Sequence, residues 1–328
     1  MFNKRGMILT LAVALVFALT VNVGAWWIFG GDDQQKENKT GKPHEGIKVG
    51  ITFMTTDNPF FKAMEDSVRE EVEGNLNGTL LVSNGQHDAA KQLADVEDMI
   101  VQGIELLLLN PVDYEASESI VAAAKEAGIP VVCVDGDSIG NRDIFIASNN
   151  YEAGVINAEY VNKRLNGKGN VVVINGNPVS AVRNRYNGFM ETIKKYPGIK
   201  VVAEQNGDGT KAKSMEVMEN ILQAHPQIDA VFAINDPSAL GVVAAAQSAG
   251  RADEFFVMGV DGSPNAVEVI ANNDTGMGMA ATAAQEPAKI GKLGVKYGLM
   301  LLDGKEVPDE LPVAVKLITN ENAANFSW

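Results

Sequence analysis

The sequence LLLLNP at residues 106–111 is followed, after one helical pattern, by VVCVDG at residues 131–136. The sequence AVFAIND at residues 230–236 is followed in the same way by FVMGVDG at residues 256–262. Each pair has an apolar run that ends in Asn, a segment of helical length, and a second apolar run that ends in Asp-Gly. The repeat predicts two similar domains rather than one long sheet.

Short apolar runs alternate with longer amphipathic segments throughout the chain from Ile47 onward. Strands that are apolar along their whole length are typical of parallel sheets covered by helices on both faces. The sequence therefore predicts an α/β fold with two doubly wound parallel-sheet lobes.

The first residues have the pattern of an export signal. Lys4 and Arg5 precede an apolar run over residues 7–23, and Val23-Gly24-Ala25 fits a cleavage site. We expect residues 1–25 to be a signal peptide and residues 26–46 a polar linker. The apolar character continues past Ala25, so an uncleaved membrane anchor is the alternative. Either reading places the chain in the periplasm or on the extracytoplasmic face of the membrane.

Composition excludes several classes of function. The net charge of −15 is unsuited to a nucleic-acid partner, because phosphates require clustered Lys and Arg. The single cysteine, Cys133, lies in an apolar run and is expected in the core. The three histidines are scattered, and no nucleophile or phosphate-loop motif occurs. We therefore expect no enzyme activity, no cofactor and no metal site.

Four polar residues follow predicted strands, namely Asn110, Asp135, Asn235 and Asp261. Ligands of open parallel sheets bind beyond the carboxyl ends of the strands, so these side chains would line two facing rims. Carboxylates accept hydrogen bonds from neighbouring hydroxyls, whereas amides both donate and accept. This set favours a polyhydroxylated ligand such as a sugar. The alternative for both aspartates is that Asp-Gly only forms a strand-exit turn.

Two adjacent aromatic residues, Phe60 and Phe61, begin a helical pattern. An aromatic face could cover the C–H surface of a sugar ring. At helical spacing, one or both could instead belong to the core.

At these residues the chain resembles the periplasmic ribose-binding protein family, the type I sugar-binding proteins of ABC importers. The resemblance extends over about residues 47–319 and is carried by the segments NPFF at 58–61, LLNP at 108–111, SAVRNR at 180–185, AVFAIND at 230–236, VDG at 260–262 and AQ at 284–285. It implies that the ligand hydroxyls are bound by Asn58, Asn110, Asp135, Arg185, Asn235, Asp261 and Gln285. It also implies that Phe60 and Phe61 lie against the sugar ring.

The resemblance further implies a clamshell with three hinge strands that closes on its ligand. The expected N-terminal lobe comprises residues 47–147 and 286–312, and the C-terminal lobe comprises residues 148–285 and 313–328. The expected partners are a small sugar or polyol, the membrane subunits of an ABC permease and, in some cases, a chemoreceptor. A membrane-tethered sugar sensor or chemoreception module without a transport role is the alternative function.

Three positions depart from the ribose-binding pattern. Gly136 replaces an arginine, and Gly209 and Val260 replace aromatic residues. We expect a larger and less apolar pocket, suited to a hexose, a deoxy sugar or a cyclic polyol rather than to ribose. Asp137 could bind a hydroxyl near the missing arginine, or it could belong to a solvated turn.

Overall fold

The structure, a computed structural model, describes residues 43–328. The signal peptide predicted at residues 1–25, and residues 26–42 of the predicted linker, lie outside this range. Within it, none of the helices has the length and apolar character needed to span a bilayer.

Strands and helices alternate along most of the chain. The strands are β1 (Lys48–Phe53), β2 (Thr79–Asn84), β3 (Leu106–Leu109), β4 (Val131–Val134), β5 (Ile144–Ser148), β6 (Gly169–Asn175), β7 (Ile199–Asn206), β8 (Ala230–Ala233), β9 (Phe256–Asp261), β10 (Gly278–Ala284), β11 (Glu310–Val313) and β12 (Lys316–Thr319). The helices are α1 (Pro59–Arg69), α2 (Ala89–Val101), α3 (Glu118–Glu126), α4 (Asn150–Leu165), α5 (Ser180–Ile193), α6 (Lys211–Ala224), α7 (Asp236–Ser248), α8 (Pro264–Ala271), α9 (Pro287–Leu302) and α10 (Asn320–Ala323). A π-helical turn, Glu70–Asn75, continues α1.

The strands form two six-stranded sheets, one for each lobe. The first sheet has the order β11-β5-β4-β3-β1-β2, and all its neighbouring strands are parallel. The second sheet has the order β12-β10-β9-β8-β6-β7, in which only the β10–β12 pair is antiparallel. The predicted fold class of two parallel-sheet α/β lobes is confirmed.

The central strands are buried on both faces, as their continuous apolar sequences predict. All four residues of β3, of β4 and of β8 are buried. Apolar side chains of each lobe form separate core clusters. Cys133 lies in one of these clusters without exposed surface, and burial raises the pKa of its thiol to about 12. The expectation that this cysteine is a core residue agrees with its position.

Within residues 43–328, the chain passes between the two sheets three times: after β5, after β10, and between β11 and β12. The sequence analysis did not predict β11 or β12. Ser148 and Val313 pair with each other in the first sheet, so the strands extend one residue beyond the lobe boundaries expected at 147 and 312. Pairing between two strands at the edge of a sheet does not define where a lobe ends. The lobe boundaries therefore stay a prediction.

Two glycines allow α4 and α5 to approach each other closely. A Cβ atom at Gly154 would lie 2.0 Å from the carbonyl oxygen of Arg185, and one at Gly188 would lie 2.0 Å from that of Tyr151. Any side chain at either position would push the helices apart. This close contact fixes the backbone of Arg185, which is the central residue of the site described next.

Candidate ligand-binding site

The polar residues that follow the strands lie at the carboxyl edges of the two sheets. Asn110 and Asp135 follow β3 and β4 in the first sheet. Asn235 follows β8, and Asp261 ends β9 beside Gln285, which comes directly after β10. The sheets thus present these side chains where open parallel sheets bind their ligands.

Arg185 is the buried cation of this region. Its Nε atom donates to Asn150 Oδ1 at 2.7 Å, and its Nη1 atom donates to the carbonyl oxygen of Ile234 at 3.2 Å. Nη1 also lies 3.5 Å from Asp261 Oδ1. Asn150 was not among the predicted site residues, because nothing in the sequence distinguishes an Asn in the first turn of α4 from an ordinary surface residue.

Asp261 is held by several donors and has a strained backbone. Its φ angle is 132°, a conformation that non-glycine residues rarely adopt. Gln285 donates to Asp261 twice, from its side-chain amide to Oδ1 at 2.7 Å and from its backbone N–H to the carbonyl oxygen at 2.9 Å. Trp328 Nε1 donates to the same carbonyl oxygen at 3.0 Å. Strain that is maintained by so many contacts is typical of functional sites.

Three acceptor oxygens of this region are buried without a hydrogen-bond partner among the described residues. They are Asp135 Oδ1, Asp261 Oδ2 and Gln285 Oε1. Buried polar atoms are nearly always paired in native proteins, so each exception calls for an explanation. All three atoms accept hydrogen bonds, so they would be satisfied by a ligand that brings donors, such as hydroxyl groups.

The electrostatics of the two aspartates fit this view. Burial raises the pKa of Asp135 to about 6, the Arg185 guanidinium opposes the rise, and the Asp261 carboxylate adds to it. Burial likewise raises the pKa of Asp261 to about 6, against the lowering effects of Arg185 and of the Gln285 amide. Asp135 belongs to the first lobe, whereas Arg185 belongs to the second. Their charges therefore interact across the facing edges of the two lobes. At pH 7 the carboxylates are ionised but poorly solvated, and would be stabilised by hydroxyl donors.

A third carboxyl group, Asp236, lies next to this region and was not predicted. The Thr282 hydroxyl donates to its Oδ1 at 2.7 Å, and the Ser263 N–H donates to its Oδ2 at 2.7 Å. Burial and the neighbouring Asp261 raise the pKa of Asp236 to about 8. Both its oxygens accept hydrogen bonds within the protein, so it supports the loop after β9. These bonds lower its pKa, but burial and Asp261 outweigh them, so the group is mostly protonated at neutral pH. The feature of the sequence that could have identified Asp236 is its position directly after Asn235.

Three of the amide side chains that were predicted to bind the ligand form hydrogen bonds with backbone groups of the protein. Asn58 caps α1 by accepting from the Phe60 N–H at 2.9 Å. Asn110 accepts from the Met54 N–H at 3.1 Å and donates to the Val134 carbonyl oxygen at 3.1 Å. Asn235 accepts from the N–H of Ser238 and donates to the carbonyl oxygen of Gly209, both at 2.9 Å. These amides shape the rims, and any ligand contact from them would add to these bonds.

Asp137 pairs with Arg142 and lies among charged residues. Arg142 donates to Asp137 Oδ1 from Nε at 2.6 Å, and to Asp309 Oδ1 from Nη1 at 2.8 Å. The bond from Arg142 already occupies Asp137 Oδ1, and a contact from Asp137 to a ligand hydroxyl stays a prediction.

The two aromatic residues that were predicted to lie against the sugar ring, Phe60 and Phe61, are buried. Phe60 is 3% exposed and Phe61 is 6% exposed, and both belong to the core cluster of the first lobe. Their ring centroids are 5.5 Å apart in an edge-to-face arrangement, and the ring of Trp328 packs against Phe60 at 6.2 Å. Trp328 was missed by the sequence analysis, since it lies far along the chain from every site residue that it contacts.

Two of the three positions that depart from the ribose-binding pattern, Gly209 and Val260, have different environments. Gly209 has a φ of +68°, which favours glycine, and accepts the bond from Asn235 through its carbonyl oxygen. Val260 has no exposed surface and lies in a core cluster of the second lobe. An aromatic residue at Val260 would therefore lie in the core. The absence of an aromatic residue at this position does not enlarge the ligand pocket.

Comparisons with known proteins agree with this geometry. A profile described as a periplasmic binding protein domain matches residues 49–306. The ribose import binding protein of Bacillus subtilis (strain 168) is 34% identical over 316 residues, which cover 96% of this chain and 98% of that protein.

Two solved structures are similar over most of the chain. A periplasmic solute-binding protein of an ABC transporter from Actinobacillus succinogenes, with bound D-allose, has a TM-score of 0.80 at 26% identity and covers 85% of this chain and 100% of its own. A solute-binding protein from Bacillus halodurans, with bound myo-inositol, has a TM-score of 0.77 at 28% identity and covers 87% and 98%. The profile, the relative and the fold agree, and the chain belongs to the periplasmic ribose-binding protein family.

Proposed function

We propose that the protein is the exported solute-binding component of an ABC-type importer and captures one monosaccharide or cyclic polyol between its lobes. The proposal is carried by the three buried acceptor oxygens of Asp135, Asp261 and Gln285 that have no partner among residues 43–328. Vicinal hydroxyls supply closely spaced donors, which is the complement that these atoms lack. The relatives named for ribose import and the structures with D-allose and myo-inositol bound support the same class of ligand.

Within this proposal the ligand is bound mainly by Asp135, Arg185, Asp261 and Gln285. Asn58, Asn110 and Asn235 fix the rims and contribute further contacts, and Phe60 and Phe61 support the apolar side of the site. Residues 47–147 and 286–312 form one lobe and residues 148–285 and 313–328 form the other. The lobes close on the ligand by motion about the three crossings.

Export and partners complete the proposal. Residues 1–25 direct the chain out of the cytoplasm, and the closed form docks on the membrane subunits of a permease and, in some settings, on a chemoreceptor. N-terminal sequencing of protein from the native host tests the first part, because a start after Ala25 is expected. Binding of the ligand-loaded protein to reconstituted permease tests the second.

The ligand class is tested by thermal unfolding with pentoses, hexoses, deoxy sugars and cyclic polyols, followed by calorimetric titration of each compound that raises the melting temperature. A ligand at a hundredfold over its Kd stabilises the folded state by about 2.7 kcal/mol. Asp253→Asn is the matched control, since Asp253 is exposed and lies before β9, at the opposite end of that strand from Asp261. If no compound in the panel binds, the proposed function is wrong. Tight binding of ribose alone would contradict the larger pocket expected from Gly136 and Gly209; Val260 lies in the core and does not bear on it.

A further inference from the structure

The segment that follows α10, residues 324–328, joins the two lobes. Phe326 packs against the core of the second lobe, and its Cε1 atom would lie 3.1 Å from a Cβ atom at Gly262. Trp328 packs against the core cluster of the first lobe instead. Over three residues the segment therefore contacts both lobes, in addition to the three crossings of the chain. We call residues 324–328 the bridging segment.

Trp328 makes one contact with each lobe at the ligand-binding region. Its ring lies edge-to-face with Phe60, with centroids 6.2 Å apart, and Phe60 belongs to the first lobe. Its indole N–H donates to the carbonyl oxygen of Asp261, in the second lobe, at 3.0 Å. If the lobes separate, Trp328 can keep both partners only by moving against one of them. Its two contacts are therefore specific to the arrangement in which the lobes are close.

The bond from Trp328 acts on the strained residue of the site. Asp261 has a φ of 132°, and its carbonyl oxygen accepts from the Gln285 N–H and from the Trp328 indole. The orientation of this peptide determines where the Asp261 carboxylate points. Oδ1 of that carboxylate is bound by Gln285, whereas Oδ2 is buried without a partner. Trp328 thus helps to hold the backbone of Asp261, whose side-chain atom Oδ2 is the acceptor without a partner.

We propose that Trp328 is a positioning residue for ligand binding, which fixes Asp261 in its strained conformation and stabilises the closed arrangement of the lobes. The inference rests on the proposed function, because it concerns the same site. It adds a residue outside the strand ends, and it assigns the bridging segment a role in ligand release.

Trp328→Phe and Trp328→Ala separate the two contacts. Phenylalanine keeps an aromatic ring for Phe60 and removes the N–H donor, whereas alanine removes both. A neutral hydrogen bond of ordinary strength corresponds to about a two- to tenfold change in Kd, which is the increase expected for Trp328→Phe. A larger increase is expected for Trp328→Ala. Affinity changes within one interface lie mostly in the dissociation rate, so ligand release should be faster in both variants.

The matched control is Tyr297→Phe, which removes one polar group from an aromatic side chain packed on the same core cluster. Calorimetry gives Kd, stopped-flow mixing gives the dissociation rate, and thermal unfolding without ligand reports on folding. The proposal requires weaker binding and faster release in the Trp328 variants, together with unchanged binding in Tyr297→Phe. Wild-type Kd and dissociation rate in both Trp328 variants would overturn the positioning role while leaving the proposed function intact. Failure of the wild-type protein to bind any sugar or polyol would overturn both.

A fluorescence measurement tests the closed arrangement directly. The chain has three tryptophans, so Trp26→Phe and Trp27→Phe in the full chain leave Trp328 as the only one. Saturating ligand should reduce quenching of Trp328 by acrylamide, because closure covers the ring. Quenching that is equal with and without a ligand known to bind would contradict the proposal.

Discussion

Asp135→Asn distinguishes a ligand-binding carboxylate from one that only shapes a turn. Asp135 has a φ of 63°, in the left-handed region. Asparagine tolerates this conformation nearly as well as aspartate and has the same shape, so the substitution adds no backbone strain. It removes the negative charge and replaces one of the two acceptor oxygens with an amide donor.

The substitution should stabilise the protein in the absence of ligand. Burial raises the pKa of Asp135 from 3.8 to about 6, so the ionised form is disfavoured in the folded state. At 1.36 kcal/mol per pKa unit, this corresponds to an increase in the free energy of unfolding of up to about 3 kcal/mol at pH 7. In the wild-type protein the folded state binds the proton more tightly, so its stability from this group falls as pH rises from about 4 to about 6. The gain from asparagine should therefore be present at pH 7 and absent near pH 4.

Ligand binding should change in the opposite direction. A hydrogen bond to a charged group contributes about 1.5–3 kcal/mol, so the loss of the charge at Asp135 should raise Kd by about 10- to 150-fold. Urea denaturation at pH 7 and pH 4 measures stability, calorimetric titration measures Kd, and Asp253→Asn should leave both unchanged. An Asp135→Asn protein that is less stable without ligand but binds normally would show that Asp135 only shapes the turn after β4.

Arg185→Met should lower the free energy of unfolding by about 3–5 kcal/mol at pH 7 in urea denaturation, because it leaves buried carboxylates without their cation. The loss should be smaller at pH 5, where the carboxylates take up protons; an equal loss at both pH values would assign the effect to packing. Gly188→Ala should destabilise the protein by about 1–3 kcal/mol and lower its melting temperature, because the new Cβ would lie 2.0 Å from the Tyr151 carbonyl oxygen; an unchanged melting temperature would show that the helices can separate freely. Ligand affinity should fall between pH 7 and pH 5 as Asp135 and Asp261, each with a pKa of about 6, become protonated and lose acceptors, and calorimetry in matched buffers checks this. A flat pH profile would indicate that neither carboxylate accepts from the ligand.

The repeated strand ends predicted where several of the candidate site residues lie in the fold. Long apolar runs define the central strands of a doubly wound sheet, and residues that follow them necessarily share one edge. For this reason the sequence alone places Asn110, Asp135, Asn235 and Asp261 at the carboxyl edges of the sheets, and their role in ligand binding stays a prediction. The same reasoning predicted two lobes, since each half of the chain carries the full pattern.

Other features depend on contacts that no local pattern records. β11 and β12 have four residues each, and β11 contains Pro312, which is tolerated only because the strand lies at the edge of its sheet. Periodicity cannot identify strands of this length. Asn150 and Trp328 join the site through tertiary contacts with Arg185 and Asp261, at distances along the chain that the sequence does not reveal.

The crossings of the chain also constrain how the protein can fold. The first sheet is completed by β11, which pairs with β5 from a distant part of the chain, and α1 packs against α9. A nascent chain that ends before residue 310 would thus leave β5 as an open edge, which is prone to association with other chains. Contacts between distant segments form slowly, because the intervening chain must first lose conformational freedom. The first lobe cannot be completed while the second is being made, so both sheets are finished together by the strands on either side of residue 315.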